Sequence, residues 1–197
     1  MGTVLFLSIV PYHVHLNTTT MEEKTSSGLV RDQLPLNEYF IEELRDVYGA
    51  EKQISTALPK MKKAATSPDL AMAFDDHLKV TQEQITRLEQ IFELLGEPAE
   101  AKKCEAMAGI LKEGDSVIAD TEAGSATRDV GLIVSAQKVE HYEIAAYGSL
   151  RQLAKTINKS EVSTLLEKTL QEEKETDMLL SNLAEMLINK DASNEAR

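Results

Sequence analysis

Four long stretches of this chain repeat apolar residues every three or four positions, and each stripe is interrupted near its middle by polar residues able to bind a metal or move a proton. Only a helical period brings such positions onto one face, so the stripes predict amphipathic helices, and the interruptions say what those faces must enclose. From Leu36 to Ala65 the stripe is Phe40, Leu44, Val47, Glu51, Ile54 and Leu58, with Pro59 expected to kink the helix near its end. Ser67 followed by Pro68 is a helix start, a side-chain cap before a residue with no N–H to satisfy. The stripe behind it is Leu70, Phe74, His77, Thr81, Gln84, Leu88, Ile91 and Leu95, stopped by Gly96 and Pro98. A third long helix, about Arg128 to Ile157, carries Ile133, Ala136, Glu140, either Glu143 or Ile144, Tyr147 and Leu150. Asn158 and Ser160 separate it from a fourth, about Glu161 to Ile188, with Leu166, Leu170, Glu173, Asp177, Leu180, Ala184 and Leu187.

Between the second and third long helices lie some thirty residues, in which Cys104, Met107, Leu111 and Ile118 mark a shorter, weaker helix with Gly114 inside it. A short turn would make the flanking helices antiparallel, whereas a connection of this length can carry the chain back to the same end. The expected architecture is therefore all-α, a ferritin-like four-helix bundle with a long crossover carrying a short extra helix. No strand pattern competes with it after residue 34.

The interruptions set the chemistry. Glu51, His77 with Thr81 and Gln84, Glu140 with Glu143, and Glu173 with Asp177 come from four different helices at compatible depth. Spacings of three and four put Glu140/Glu143 and Glu173/Asp177 each on one helical face. Isolated buried carboxylates cost several kcal/mol apiece even after relaxation, so five pointing inward call for bound cations. Oxygen-rich ligation with a single imidazole suits iron or manganese. The competing account leaves these carboxylates solvated on the shoulders of the stripes or paired with Lys52, Lys138 or Arg151, and makes His77 an ordinary core histidine. His141 is turned about 100° from Glu140 and belongs outside the site or beside it. Asp46 lies off the Glu51 stripe. Tyr147 and Tyr48 read as core aromatics whose hydroxyls find a polar partner, and Cys104 as packing in the crossover.

Several segments carry a resemblance: Asp46-Val-Tyr-Gly-Ala-Glu51-Lys-Gln, Phe74-Asp-Asp-His77-Leu, Gln84-Ile-Thr-Arg-Leu-Glu-Gln, Gln137-Lys-Val-Glu140-His-Tyr-Glu143-Ile-Ala-Ala-Tyr147-Gly and Glu172-Glu-Lys-Glu-Thr-Asp177. Over about residues 36 to 190 the chain resembles the bacterial YciE/YciF family of ferritin-like stress proteins, most specifically in Gln-Lys-Val-Glu-His-Tyr-Glu. The resemblance implies a bundle with a dinuclear metal centre, iron-binding or ferroxidase-like, in a homodimer tied to stress responses. The chain departs from the common di-iron pattern, in which two helices each supply Glu-x-x-His: no Glu-x-x-His occurs in it. The expected arrangement has Glu140 and Glu173 bridging or flanking two iron ions, Glu51, Glu143 and Asp177 as terminal ligands and His77 as the nitrogen donor. Dioxygen or peroxide is the expected oxidant. The alternatives are a manganese catalase or rubrerythrin-like peroxide scavenger, and a non-enzymatic, metal-stabilised structural bundle. With no Cys-x-x-Cys pair, a rubredoxin-type electron-transfer domain is excluded and the reductant must come from outside.

Other functions are excluded by composition. With 33 acidic and 21 basic residues the formal charge is −12, which argues against a nucleic-acid partner, since that affinity rests on Lys and Arg displacing counterions. No apolar run approaches the roughly 20 residues of a membrane span. A lone cysteine cannot form an internal disulfide, and a cytoplasmic home is expected. Residues 1–34 read as a disordered leader, with translation starting at Met21 as the favoured account of its Thr-rich, β-branched character; export is the weaker one, because no basic leader or cleavage site accompanies the apolar run. His13 and His15 alone make a poor metal site. The bundle is expected over 35–190, with a disordered tail over 191–197.

Overall fold

The computed structural model describes residues 35–195, and every long element among them is helical. Helix α1 spans Pro35–Ala64, α2 Pro68–Leu95, α3 Glu105–Asp120, α4 Ala126–Thr156 and α5 Ser160–Leu183; a π-helical turn (Ala184–Ile188) leads into a short α6, Asn189–Ser193. The readings of the leader, including Met21, His13 and His15, fall outside the described residues. Local chemistry sets the boundaries. Ser67 caps α2 by accepting the Leu70 N–H, Pro68 occupies its first position, and Gly96 ends it in a left-handed conformation with φ 74°. Ser125 caps α4 through the Arg128 N–H. α1 runs on through Pro59 to Ala64.

The helices enclose two apolar clusters. One joins Phe40, Leu44 and Val47 at the start of α1 to Leu88, Ile91 and Phe92 at the end of α2, Tyr147, Leu150 and Ala154 at the end of α4, and Val162, Leu166 and Leu170 at the start of α5. The other joins Ile54, Leu58 and Met61 late in α1 to Leu70 and Phe74 early in α2, Leu132, Ile133, Ala136 and Val139 early in α4, and Leu180 late in α5. So α1 runs parallel to α5 and α2 to α4, and the segment between α2 and α4 must travel the length of the bundle. It does so against α1. The Lys102 N–H donates to the Arg45 carbonyl at 3.0 Å. A Cβ on Gly49 would lie 1.7 Å from the Lys102 carbonyl oxygen, so the backbones meet at a position only glycine can fill. Cys104 and Met107 then anchor α3 in the second cluster; the Cys104 thiol is buried as the cap of α3, accepting from the Met107 N–H at 3.4 Å.

The α1 stripe is buried from Phe40 to Leu58, as is the α2 stripe from Leu70 to Ile91. On α4 the open choice resolves to Glu143, which is buried, while Ile144 is half-exposed. Beyond Leu180 the register departs from the even spacing: the π turn adds a residue, so Ile188 is buried where the spacing puts Leu187, which is exposed. Past residue 190, where the sequence reading leaves a disordered tail, α6 continues to Ser193. The Glu195 carboxylate then accepts the Ala126 and Thr127 N–H groups at 2.8 and 3.0 Å, a negative charge on the N-terminus of α4.

Candidate metal centre

Between the two apolar clusters lies a layer of buried polar side chains: Glu51 from α1, His77, Thr81 and Gln84 from α2, Glu140 and Glu143 from α4, and Glu173 from α5. The helical period puts each where its stripe predicts a core residue, so four faces that are apolar above and below converge here on four carboxylates and an imidazole. His77, Glu140, Glu143 and Glu173 each offer one ligand atom, and these atoms all lie within 4.8 Å of one another. Glu51 stands beside them, facing Glu143 and Glu173.

Among the described residues few donors answer these groups. Both oxygens of Glu140, both of Glu143, Oε2 of Glu51, Oε2 of Glu173, Nε2 of His77 and Oγ1 of Thr81 are buried without a hydrogen-bond partner. The few donors present serve the outer oxygens: the Tyr147 hydroxyl donates to Glu51 Oε1, and the Gln84 amide to Glu173 Oε1. Behind Gln84, the buried Arg87 guanidinium forks onto Glu172 at 2.7 and 3.0 Å and reaches Thr169 at 2.6 Å. It thereby places a cation near the layer while spending its hydrogen bonds on another carboxylate.

Burial drives the acidities. Loss of solvent is the largest cause for all four carboxyls, with repulsion among them next for three. Glu140 and Glu143 are held well above the ordinary carboxylate range, Glu51 is pushed up to about 8 and Glu173 to about 7. Burial pushes His77 down to about 4, which leaves a neutral imidazole. Its Nδ1 stands 3.5 Å from Glu140 Oε1. In the metal-free chain the layer is thus a set of acids holding protons for want of a better cation. A neutral imidazole, converging carboxylates and unpartnered lone pairs make a donor set that fits a hard or borderline divalent ion.

Asp177 does not join the buried group. Its carboxylate is one-quarter exposed and faces Gln137 Nε2 at 3.2 Å and His141 Nε2 at 3.3 Å at the bundle surface. His141 is itself exposed, on the outward side where its rotation from Glu140 puts it. Asp46 lies outside as well, accepting from Tyr142 at 2.9 Å; the same hydroxyl meets the Cys104 sulfur at 3.1 Å. Tyr48 reaches Glu89 at 2.7 Å. The three cations considered as partners for the stripe carboxylates are engaged elsewhere: Lys52 over the Tyr48 ring, Lys138 with Glu113 and Arg151 with Glu167. Arg87 is the residue sequence reasoning missed. It stands one turn past Gln84 on the same face, and an arginine there reads as solvated unless Glu172 is known to face it.

The chain is 43% identical over 162 residues to the protein YciF of Escherichia coli, covering 82% of this chain and 97% of that protein. The crystal structure of the E. coli stress protein YciF superposes with a TM-score of 0.75 at 42% identity, covering 79% of this chain and 98% of that one. YcfI of Rhodopseudomonas palustris superposes with a TM-score of 0.73 at 37% identity, covering 78% and 97%. A Xanthomonas campestris protein at 22% identity and TM-score 0.63, covering 81% and 97%, shares the fold. Residues 35–193, which hold the whole polar layer, match the family described as a domain of unknown function, DUF892; the chain belongs to that family and is a YciF-like protein.

Proposed function

We propose that this chain is a di-metal carboxylate protein that handles iron and oxidant under stress, with ferroxidase-like chemistry. One observation carries the reading: the carboxyl oxygens of Glu140 and Glu143 are fully buried, face other carboxyls and have no donor outside the layer itself among the described residues. Lone pairs are left in this state at the centre of a fold when a cation from outside completes it. Glu140, Glu143, Glu173 and His77 would hold the metal, with Glu51 extending the set to a second ion; Asp177 closes the surface side. When bound, iron would supply one-electron chemistry toward dioxygen or peroxide.

The surrounding residues have definable tasks. Tyr147 fixes the rotamer of Glu51, and Gln84 that of Glu173, by holding one oxygen of each and leaving the other turned inward. Arg87 partly offsets the negative layer without touching its inner oxygens. The apolar clusters on either side exclude water and strengthen every interaction within the layer. A homodimer in the cytoplasm is part of the proposal on the family likeness; among the described residues no helix is long and apolar enough to cross a membrane.

A structural bundle is the second reading, favoured by the provisional structural designation of the R. palustris relative; manganese-dependent peroxide turnover is the third. Elemental analysis of protein purified without chelators, followed by aerobic Fe(II) oxidation and peroxide consumption, separates them. Bound iron and Fe(II) oxidation without peroxide turnover support the proposal. Bound manganese with peroxide turnover replaces it, and bound but inert metal leaves the structural bundle. A chain that takes up neither iron nor manganese overturns the metal reading altogether.

A further inference from the structure

A buried centre of this kind has to be filled, and its four principal residues are closed to water. A hydrated divalent ion sheds its water stepwise, so filling is fastest where a partly exposed ligand pair stands over the buried one. The surface pair His141 and Asp177 has that form. His141 follows Glu140 on α4 and Asp177 lies one turn beyond Glu173 on α5, so the pair at the surface sits on the same two helices as the pair beneath. His141 Nε2 and Asp177 Oδ1 are 3.3 Å apart, the imidazole exposed and the carboxylate one-quarter exposed. The Gln137 amide reaches both Asp177 Oδ1, at 3.2 Å, and Ser181 Oγ, at 2.9 Å, which holds the carboxylate in place. Asp177 is close enough to the Glu140 carboxyl, both of whose oxygens lack a hydrogen-bond partner, to act on it through space.

We propose that His141 and Asp177 form an entry site, which captures a divalent cation at the surface and passes it to Glu140 and Glu173. The inference rests on the di-metal reading and adds the route and the residues that serve it. A nitrogen and an oxygen donor at the surface strip part of the hydration shell. The deeper carboxylates then outcompete them, because converging buried oxygens that lack a hydrogen-bond partner bind the ion more strongly than two partly solvated donors. An entry site has a kinetic signature that a ligand lacks. It lowers the barrier in both directions, so removing it slows loading and unloading alike and leaves the equilibrium nearly untouched; removing a ligand weakens binding and speeds release.

The test uses Co(II) alone on the metal-free full chain, following its visible absorption in stopped flow for uptake and after excess chelator for release. In His141→Ala and Asp177→Asn, uptake and release are expected to slow together, about tenfold in the double variant, the lower end of what local electrostatic guidance supplies. Stoichiometry should be unchanged and Kd within about threefold of the parent. Asp177→Glu, which keeps the donor, should load near the parental rate. Helical content and unfolding midpoint, measured alongside, check that these surface changes leave the bundle intact. Unchanged rates overturn the proposal and make the pair a tie between α4 and α5. Faster release with a Kd weakened tenfold or more also overturns it, by making Asp177 a ligand. A parent chain that binds no Co(II) at all removes the di-metal reading, and the entry site falls with it.

Discussion

Asp129 and Glu140 stand on the same helix about three turns apart, both closed to solvent, and the protein treats them in opposite ways. Asp129 is fully answered: Oδ1 accepts the Thr66 N–H and Oδ2 the Ser67 N–H, each at 2.7 Å, so the carboxylate ties the turn between α1 and α2 to the start of α4. Glu140, with Glu143 beside it, has no donor outside its own layer among the described residues. Burial of a carboxylate is thus no sign of a metal site in itself, because this fold builds donors where it needs them. The absence of donors around Glu140 and Glu143 is the informative feature.

The contrast breaks most visibly on adding metal. At a metal concentration about a thousandfold above Kd, loading should stabilise the chain by about 4 kcal/mol, read as a shift in the urea midpoint with and without chelator. Asp129→Ala should keep that increment, and Glu140→Gln with Glu143→Gln should lose it. A parental chain indifferent to metal would leave the orphaned oxygens unexplained. Next in size is Asp129→Ala itself, which strands two buried backbone N–H groups and should cost about 3 kcal/mol whether or not metal is present. A loss that metal reverses would place Asp129 in the centre's circuit and erase the distinction.

The opposite sign is expected in the layer. Without metal, Glu140→Gln replaces an acid under repulsion from Glu173 and Glu51 with a neutral amide of the same shape. It should raise stability by about 2 kcal/mol near neutral pH, measured by chemical unfolding in chelator. Destabilisation of that size would mean that Glu140 is satisfied as it stands.

How much of this could be read in advance follows from the same two residues. The layer was legible because its members sit on the helical period itself: Glu51, His77, Glu140 and Glu173 each occupy a position where the stripe calls for a hydrophobe, so a sequence pattern marks both their depth and their direction. Asp129 was not, because its partners lie in a turn more than sixty residues away and its place near the start of α4 is where an acid is ordinary on any helix. Arg87 failed for a similar reason, since its burial depends on Glu172 facing it across α2 and α5. Asp177 shares its stripe with Glu173, yet one turn along the helix is enough to bring it to the surface, and periodicity cannot resolve the rotation that decides this. The π turn slips the register by one residue for a reason no even spacing contains.

Smallest per proton, and sharpest in sign, is the pH dependence of the metal-free chain. Glu51, Glu140, Glu143 and Glu173 all hold their protons to higher pH in the folded chain than in the unfolded one. The stability this contributes is fully present below the ordinary carboxylate value and is lost as pH rises through the raised ones, about 7 for Glu173 and about 8 for Glu51. His77 acts the other way: lowered to about 4 from 6.5, its contribution is complete above 6.5 and lost as pH falls toward 4. Between pH 6.5 and 8 the imidazole is silent and only the carboxyls titrate. Within this layer, then, the metal-free chain should lose stability across that window at about 1 kcal/mol per pH unit for each proton released. With metal bound, those protons are already displaced, so the slope should flatten, and binding itself should tighten as pH rises. Urea unfolding at several pH values, with and without chelator, reads both slopes. A metal-free chain that gains stability from pH 6.5 to 8 would show that the layer is ionised and satisfied after all, which would put Glu140 in the same class as Asp129.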